Sequence, residues 1–220
     1  MYIANELRKT NIAEYLLYMW QVEDTIRAFG CSLPRIRREY ISRFDYSDEQ
    51  KDEEADWFGN LVRMMNEEGC RESGHLQINR VTLQLLTDLH QQLLESPKFP
   101  FYNTAYYKVL PFIVELRQKS KNSNLNSQPS NLNSQSSNLK SQPSNLKSQP
   151  SNLNSQSSNL NSQPSEIETC LNLLYGVMML RLQKKEVTPN TEHAVREVST
   201  FIGMLADYYK KDKEEGLFND

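Results

Sequence analysis

Residues 124–165 spell one seven-residue word six times, N-L-(N/K)-S-Q-(P/S)-S, and only its third and sixth positions vary. A seven-residue period invites a coiled coil, which needs two apolar positions in every heptad. Each word offers one, at Leu125, Leu132, Leu139, Leu146, Leu153 and Leu160. Four words also carry proline, at Pro129, Pro143, Pro150 and Pro164, and proline costs about 3 kcal/mol in a helix interior. The remaining Asn, Ser and Gln compete with the backbone for hydrogen bonds or bury nothing. Such a tract does not offset its ordering entropy, so it reads as a disordered connection. The lesser alternative is an Asn/Gln-rich segment that promotes self-association. Near-identity of the words points to tandem duplication. Stretching a loop from about 5 to about 47 residues costs only about 2 kcal/mol in closure entropy, which one domain can carry. The fold must therefore be built from the 178 residues outside the repeat, enough for a single core.

Both flanks read as helix. In "NIAEYLLYMWQVEDTIRAFG", Ile12, Tyr15, Leu16, Met19, Val22, Ile26 and Phe29 share one face, with Asn11 and Glu14 as a capping pair and Gly30 as a stop. "LPRIRREYISRF" spaces Ile36, Tyr40 and Phe44 by four. The next helix opens at Ser47 with Gln50 three later, buries Phe58, Leu61, Val62 and Met65, and ends at Gly69. "HLQINRVTLQLLTDLHQQLLESP" aligns Ile78, Val81, Leu85, Leu89 and Leu93 before Pro97. "FYNTAYYKVLPFIVELRQ" is apolar nearly all round and reads as the central helix, kinked or split at Pro111. Beyond the repeat, Ser165 and Glu168 make a second capping box, and Thr188–Pro189 opens a last helix whose inner face is Ala194, Val198, Phe201, Leu205 and Tyr208. No segment alternates as a strand does.

Charge and composition exclude some roles. The flanks hold 23 basic and 28 acidic residues, and this mild acidity argues against general nucleic-acid affinity. The start, with Glu6, Arg8 and Lys9, does not read as a secretory signal. The longest apolar run, "LNLLYGVMMLRL", is broken by Asn172 and Arg181 and falls short of a bilayer span. Cys31, Cys70 and Cys170 are odd in number and widely spaced, and no N-x-(S/T) acceptor occurs, so a reducing cytoplasm is expected.

Candidate chemistry is sparse. Asp52, Glu53 and Asp56 form an acidic cluster on one helix, but no second E-x-x-D pair stands on a later one, and adjacent Glu23 and Asp24 point apart. An acidic first turn facing the helix dipole explains the cluster. Glu72 and His75 are three apart, as in di-iron bundles, yet occur once and with Gly74 between them. His90, two residues after Asp88, and His193 read as structural or exposed. The cysteines lack zinc or redox spacing, and no phosphate loop is present. Arg35, Arg37, Arg38 and Arg43 are the one basic cluster able to grip phosphate. Lys184–Lys185 and the lysines at 210–213 fall at helix C-termini, where cations are favoured. Eleven tyrosines are unusual. Tyr102, Tyr106, Tyr107 and Trp20 read as aromatic core, or alternatively as a ligand pocket.

The stretches "MYIANELRKTNIAEYLLYMWQVED", "GHLQINRV", "FPFYNTAYYKVLPFIVELR" and "LLYGVMMLRLQKKEVTP" resemble a bacterial family catalogued only as a domain of unknown function, number 4924. The resemblance covers nearly everything outside residues 119–165, where the family has a short connection and this chain departs from it. It implies a helical cytoplasmic protein. It supplies no catalytic, metal or cofactor residues.

The expectation is therefore an all-α protein of about seven helices in one bundle-like domain. Residues 1–118 hold helices one to five, residues 119–165 the disordered linker, and residues 166–220 helices six and seven. The expected role is an interaction or scaffold protein without catalysis, cofactor or metal. Its partner would be a second copy or another protein, with no membrane and no nucleic acid. The alternatives are a metal-dependent hydrolase or small-ligand bundle using helix carboxylates, and a nucleic-acid-associated regulator acting through Arg35–Arg43.

Overall fold

The computed structural model describes residues 1–126 and 164–218, with side chains through residue 121 in the first stretch. Most of the repeat lies outside the described residues, and so does its expected disorder. Among the described residues there are eight α-helices and no strand: α1 (Tyr2–Thr10), α2 (Ile12–Ala28), α3 (Leu33–Glu39), α4 (Asp48–Glu67), α5 (Gln77–Glu95), α6 (Pro100–Asn126), α7 (Glu166–Leu182) and α8 (Pro189–Glu215). A single 3-10 turn covers Ile41–Arg43.

The helix starts follow local chemistry. Ser47 and Gln50 close a reciprocal capping box on α4, and Ser165 and Glu168 another on α7. Thr188 caps α8 ahead of Pro189. Asn11 caps α2 in one direction only, accepting from the backbone of Ala13 and Glu14. Gly30 and Gly69 take the left-handed backbone that ends α2 and α4.

Four expectations need correction. First, α1 is an extra helix, separated from α2 only by the extended backbone of Asn11. Second, the helix expected to reach Phe44 stops at Glu39, and past Tyr40 the chain continues as the 3-10 turn Ile41–Arg43. Third, α6 runs through Pro111 unsplit and ends at Asn126, so residues 119–126 of the expected linker are helical. Pro111 and Tyr107, whose carbonyl loses its partner four residues on, are both exposed, and water can satisfy that carbonyl. Fourth, α6 is not central. It buries Tyr102, Val109 and Ile113 but leaves Phe101, Tyr107 and Val114 in solvent. The centre is α8, which packs against α2, α5, α6 and α7.

One hydrophobic core draws side chains from both sides of the repeat. Leu16, Trp20 and Ile26 of α2, Phe58 and Met65 of α4, and Leu86 and Leu93 of α5 meet Tyr102 of α6, Ile167 and Leu171 of α7, and Val198 and Phe201 of α8. The contiguous apolar interior supplies the main stabilisation, at about 1.5–3 kcal/mol for each large side chain fully buried. No helix among the described residues is long and apolar enough to cross a membrane.

Candidate functional site

Two buried polar centres hold the helices in register. The first lies on α2. Glu23 is wholly buried, and its Oε1 accepts from the Leu76 backbone N–H at 2.9 Å and from Asn79 Nδ2 at 2.7 Å. Its Oε2 lies 2.6 Å from His75 Nδ1. The His75 ring stacks on Trp20 at 4.5 Å, and Trp20 meets the edge of Tyr175. Tyr175 donates its hydroxyl to Asp24 at 2.6 Å, and Asp24 pairs with Arg27 at 2.7 Å. Arg27 reaches back to the Cys70 carbonyl. A carboxyl–imidazole pair is general-base hardware, but both Glu23 oxygens are spent on holding the start of α5. Leu76 has no side-chain cap of its own, and Glu68 takes the next backbone donor, Gln77 N–H. Two carboxyl groups thus face the positive end of α5.

The second centre ties α5 to α6 and α7 at the base of the repeat. His90 Nδ1 lies 2.7 Å from the Tyr102 hydroxyl, and Nε2 lies 3.4 Å from Glu166. Arg117 approaches Glu166 at 3.6 Å and donates to the Pro164 carbonyl at 2.7 Å. Burial pushes the His90 pKa below its ordinary value, with Glu166 partly opposing. Burial, with a hydrogen bond to Glu166, pushes Tyr106 up to about 12. Burial alone dominates at Cys170, whose thiol is also pushed up to about 12.

The remaining sequence candidates are dispersed. Asp52 pairs with Arg37, and Glu53 accepts from the Tyr2 hydroxyl. Arg35 and Arg38 both pair with Glu39, so only Arg43 of the basic cluster has no ion pair. His75 meets Glu23, not Glu72. Asp88 accepts from Gln84 rather than serving His90, and His193 packs edge-on against Phe112. Cys31 is half-buried, Cys70 and Cys170 are buried, and all three are free. Among the described residues, no three His, Cys, Asp or Glu side chains converge as a metal site would require. Tyr102 is core, Tyr106 half-buried and Tyr107 exposed. Sequence reasoning missed Glu54, the buried member of the acidic run. Its signal was present: it precedes Phe58, Leu61 and Met65 by four, seven and eleven, which places it on the inner face of α4.

One surface departs from the expected burial in a way that matters. The periodicity of α5 places Ile78, Val81 and Leu85 on the core face, yet they are 38%, 46% and 43% exposed. Leu89 and Leu93 of the expected face are buried, Leu86 and His90 join them, and the exposed stripe lies roughly 100° away round the helix. The stripe floors a groove of about 560 Å³ between α1, α5 and α8. Arg8, Tyr209 and Lys213 wall it, and among the described residues no carboxyl group lines it. Lys213 lies 5.6 Å over the Tyr209 ring.

No curated protein and no solved structure matches the chain. A family model does match, over residues 1–142 and 130–216, and spans both flanks of the repeat. The helical chain described above therefore belongs to the family Domain of unknown function (DUF4924).

Proposed function

We propose that this protein is a helical interaction protein whose α5 groove receives an amphipathic helix with acidic flanks from a protein partner. The observation that carries the reading is the exposed Ile78–Val81–Leu85 stripe. Its spacing matches the i, i+3, i+7 register by which helices dock into grooves. Covering the three side chains would contribute about 2–4 kcal/mol. The bordering Arg8 and Lys213 favour carboxylates on the incoming helix and would speed encounter. Three unpaired thiols accord with a reducing, cytoplasmic setting. The acidic flanks and the ion-paired Arg35, Arg37 and Arg38 weigh against nucleic acid as the partner.

The test is selection of displayed helical peptides against the intact chain, followed by Val81→Glu with Leu85→Glu. Both positions are exposed, so the fold should survive. Recovered binders should carry apolar residues at helical spacing with Asp or Glu beside them, and should bind the double variant at least tenfold more weakly. Binders indifferent to the variant, or no binders at all, would refute the reading. Light scattering separates the remaining occupant: a dimer that the same variant dissolves would place a second copy in the groove.

A further inference from the structure

The two most exposed large apolar side chains among the described residues both lie on α6: Phe101 at 78% and Tyr107 at 68%. Pro111 and Val114 are exposed beside them. At 100° per residue these four, with exposed Lys108 and Glu115, fall within an arc of about 140° that runs about 21 Å along the helix. The opposite side of α6 is already buried through Tyr102, Val109 and Ile113. A surface helix usually turns a polar face outward, and a continuous apolar strip in solvent marks an interaction surface. The charges on the strip are complementary to themselves. Lys108 and Glu115 stand equally far before and after the Pro111–Phe112 peptide, on one edge of the face, while Tyr107 and Val114 occupy the other edge. Lys108 makes no ion pair among the described residues. Glu115 pairs through Oε1 with Lys119 one turn on, at 2.6 Å and in solvent, which is a weak attachment that leaves its second oxygen open.

We propose that the outer face of α6 seats a second copy of this chain, helix against antiparallel helix, about a two-fold axis at the Pro111–Phe112 peptide. Such an axis makes an isologous contact, in which each residue pair occurs twice. It sets each edge of the face against the same edge of the other copy. Lys108 then meets Glu115 of the second copy, and Tyr107 packs against Val114 of the second copy. A parallel pairing would instead place Lys108 on Lys108 and Glu115 on Glu115. The face is short, so the interface belongs to the small class that buries under about 1,200 Å², and the dimer is weak, with a dissociation constant of about 10–100 µM. No residue of α6 lines the α5 groove, so this dimer leaves that groove open and stands whether or not a helix binds there.

Sedimentation equilibrium of the full chain, from about 5 to about 500 µM, tests it. The wild-type chain should dimerise in that range. Lys108→Glu and Glu115→Lys, each alone, turn two attractive pairs into two repulsive ones and should weaken the dimer about tenfold. The double variant Lys108→Glu with Glu115→Lys should recover wild-type affinity to within about threefold. Positions seven apart on one helix are not neighbours, so that recovery can arise only between chains. Mixing the two single variants should give a heterodimer tighter than either variant forms with itself. Tyr107→Ala, at an exposed position, should weaken the dimer at least tenfold with an unchanged circular dichroism spectrum. Val81→Glu with Leu85→Glu should leave it intact, which separates this contact from a copy lodged in the α5 groove. A wild-type chain still monomeric at about 500 µM would overturn the proposal. So would a dimer indifferent to the single charge reversals, single reversals that the double variant does not rescue, or a dimer dissolved only by the α5 variant.

Discussion

Replacing Glu23 by alanine should cost more stability than any surface substitution in this chain, and the structure sets the size of the loss. The carboxyl group accepts from three donors: His75 Nδ1, the Leu76 N–H and Asn79 Nδ2. Leu76 is 0% and Asn79 1% exposed, so neither donor can turn to water. His75 is half-buried and partly rescues itself. Each stranded buried donor costs about 1–3 kcal/mol, and the void left by the side chain adds to this. The expected loss for Glu23→Ala is about 3–5 kcal/mol, or about 10 °C in Tm for a domain of this size. Glu23→Gln keeps an acceptor oxygen for Leu76 and Asn79, and its new amide can donate to His75 if the ring protonates on Nε2 instead. It should cost about 1 kcal/mol. Urea denaturation followed by far-UV circular dichroism measures both, and an unchanged slope with denaturant shows that the difference lies in stability. A loss under about 1 kcal/mol for Glu23→Ala would refute the reasoning, since the donors would have found other partners. Equal losses for Ala and Gln would show that the charge matters, not the acceptor geometry.

Four further expectations rest on single features. Lys184 sits at φ 57°, in the left-handed region just past the end of α7, so Lys184→Gly should raise stability by about 0.5–1 kcal/mol in the same denaturation assay. Among the thiols, half-buried Cys31 should react with a disulfide reagent in the native protein, while Cys70 and Cys170 should wait for unfolding. Because His90's pKa is lowered in the fold, the unfolded chain takes up the proton first. Stability should therefore decline as pH falls from about 6.5 towards the folded value and then level off, and His90→Gln should flatten that slope. Replacing residues 122–163 with a short Gly/Ser linker should leave the protein folded and stabilise it by up to about 2 kcal/mol. Extending the deletion through Ser165 should forfeit about 1 kcal/mol, because its side chain accepts from the Glu168 backbone in the α7 cap. Calorimetric melting of the two deletions distinguishes these outcomes.

Helices and their starts were legible along the chain because they are local. A capping box is written within four residues, as at Ser47–Gln50 and Ser165–Glu168, and an amphipathic stripe within about three turns. The same locality explains what the reading got wrong. The α5 pattern offers two adjacent apolar strips: Leu89 and Leu93 are buried as expected, but nothing within α5 says that Leu86 joins them while Ile78, Val81 and Leu85 stay exposed. Pro111 does not split α6 as propensity alone expects, because propensity omits the α8 surface against which that helix packs.

The linear pattern by itself determined that both flanks coil, where most helices begin, and which residues are apolar enough to bury. Tertiary structure alone decided the partners. Glu23 meets His75 across 52 positions, His90 meets Glu166 across 76, and Tyr175 meets Asp24 across 151. Such pairings arise from the packing of separate helices, and their energies depend on desolvation that exists only once the core has closed. The register of α4 puts Glu54 on the inner face with Phe58, Leu61 and Met65, but only the packed fold sets what that carboxyl group meets there.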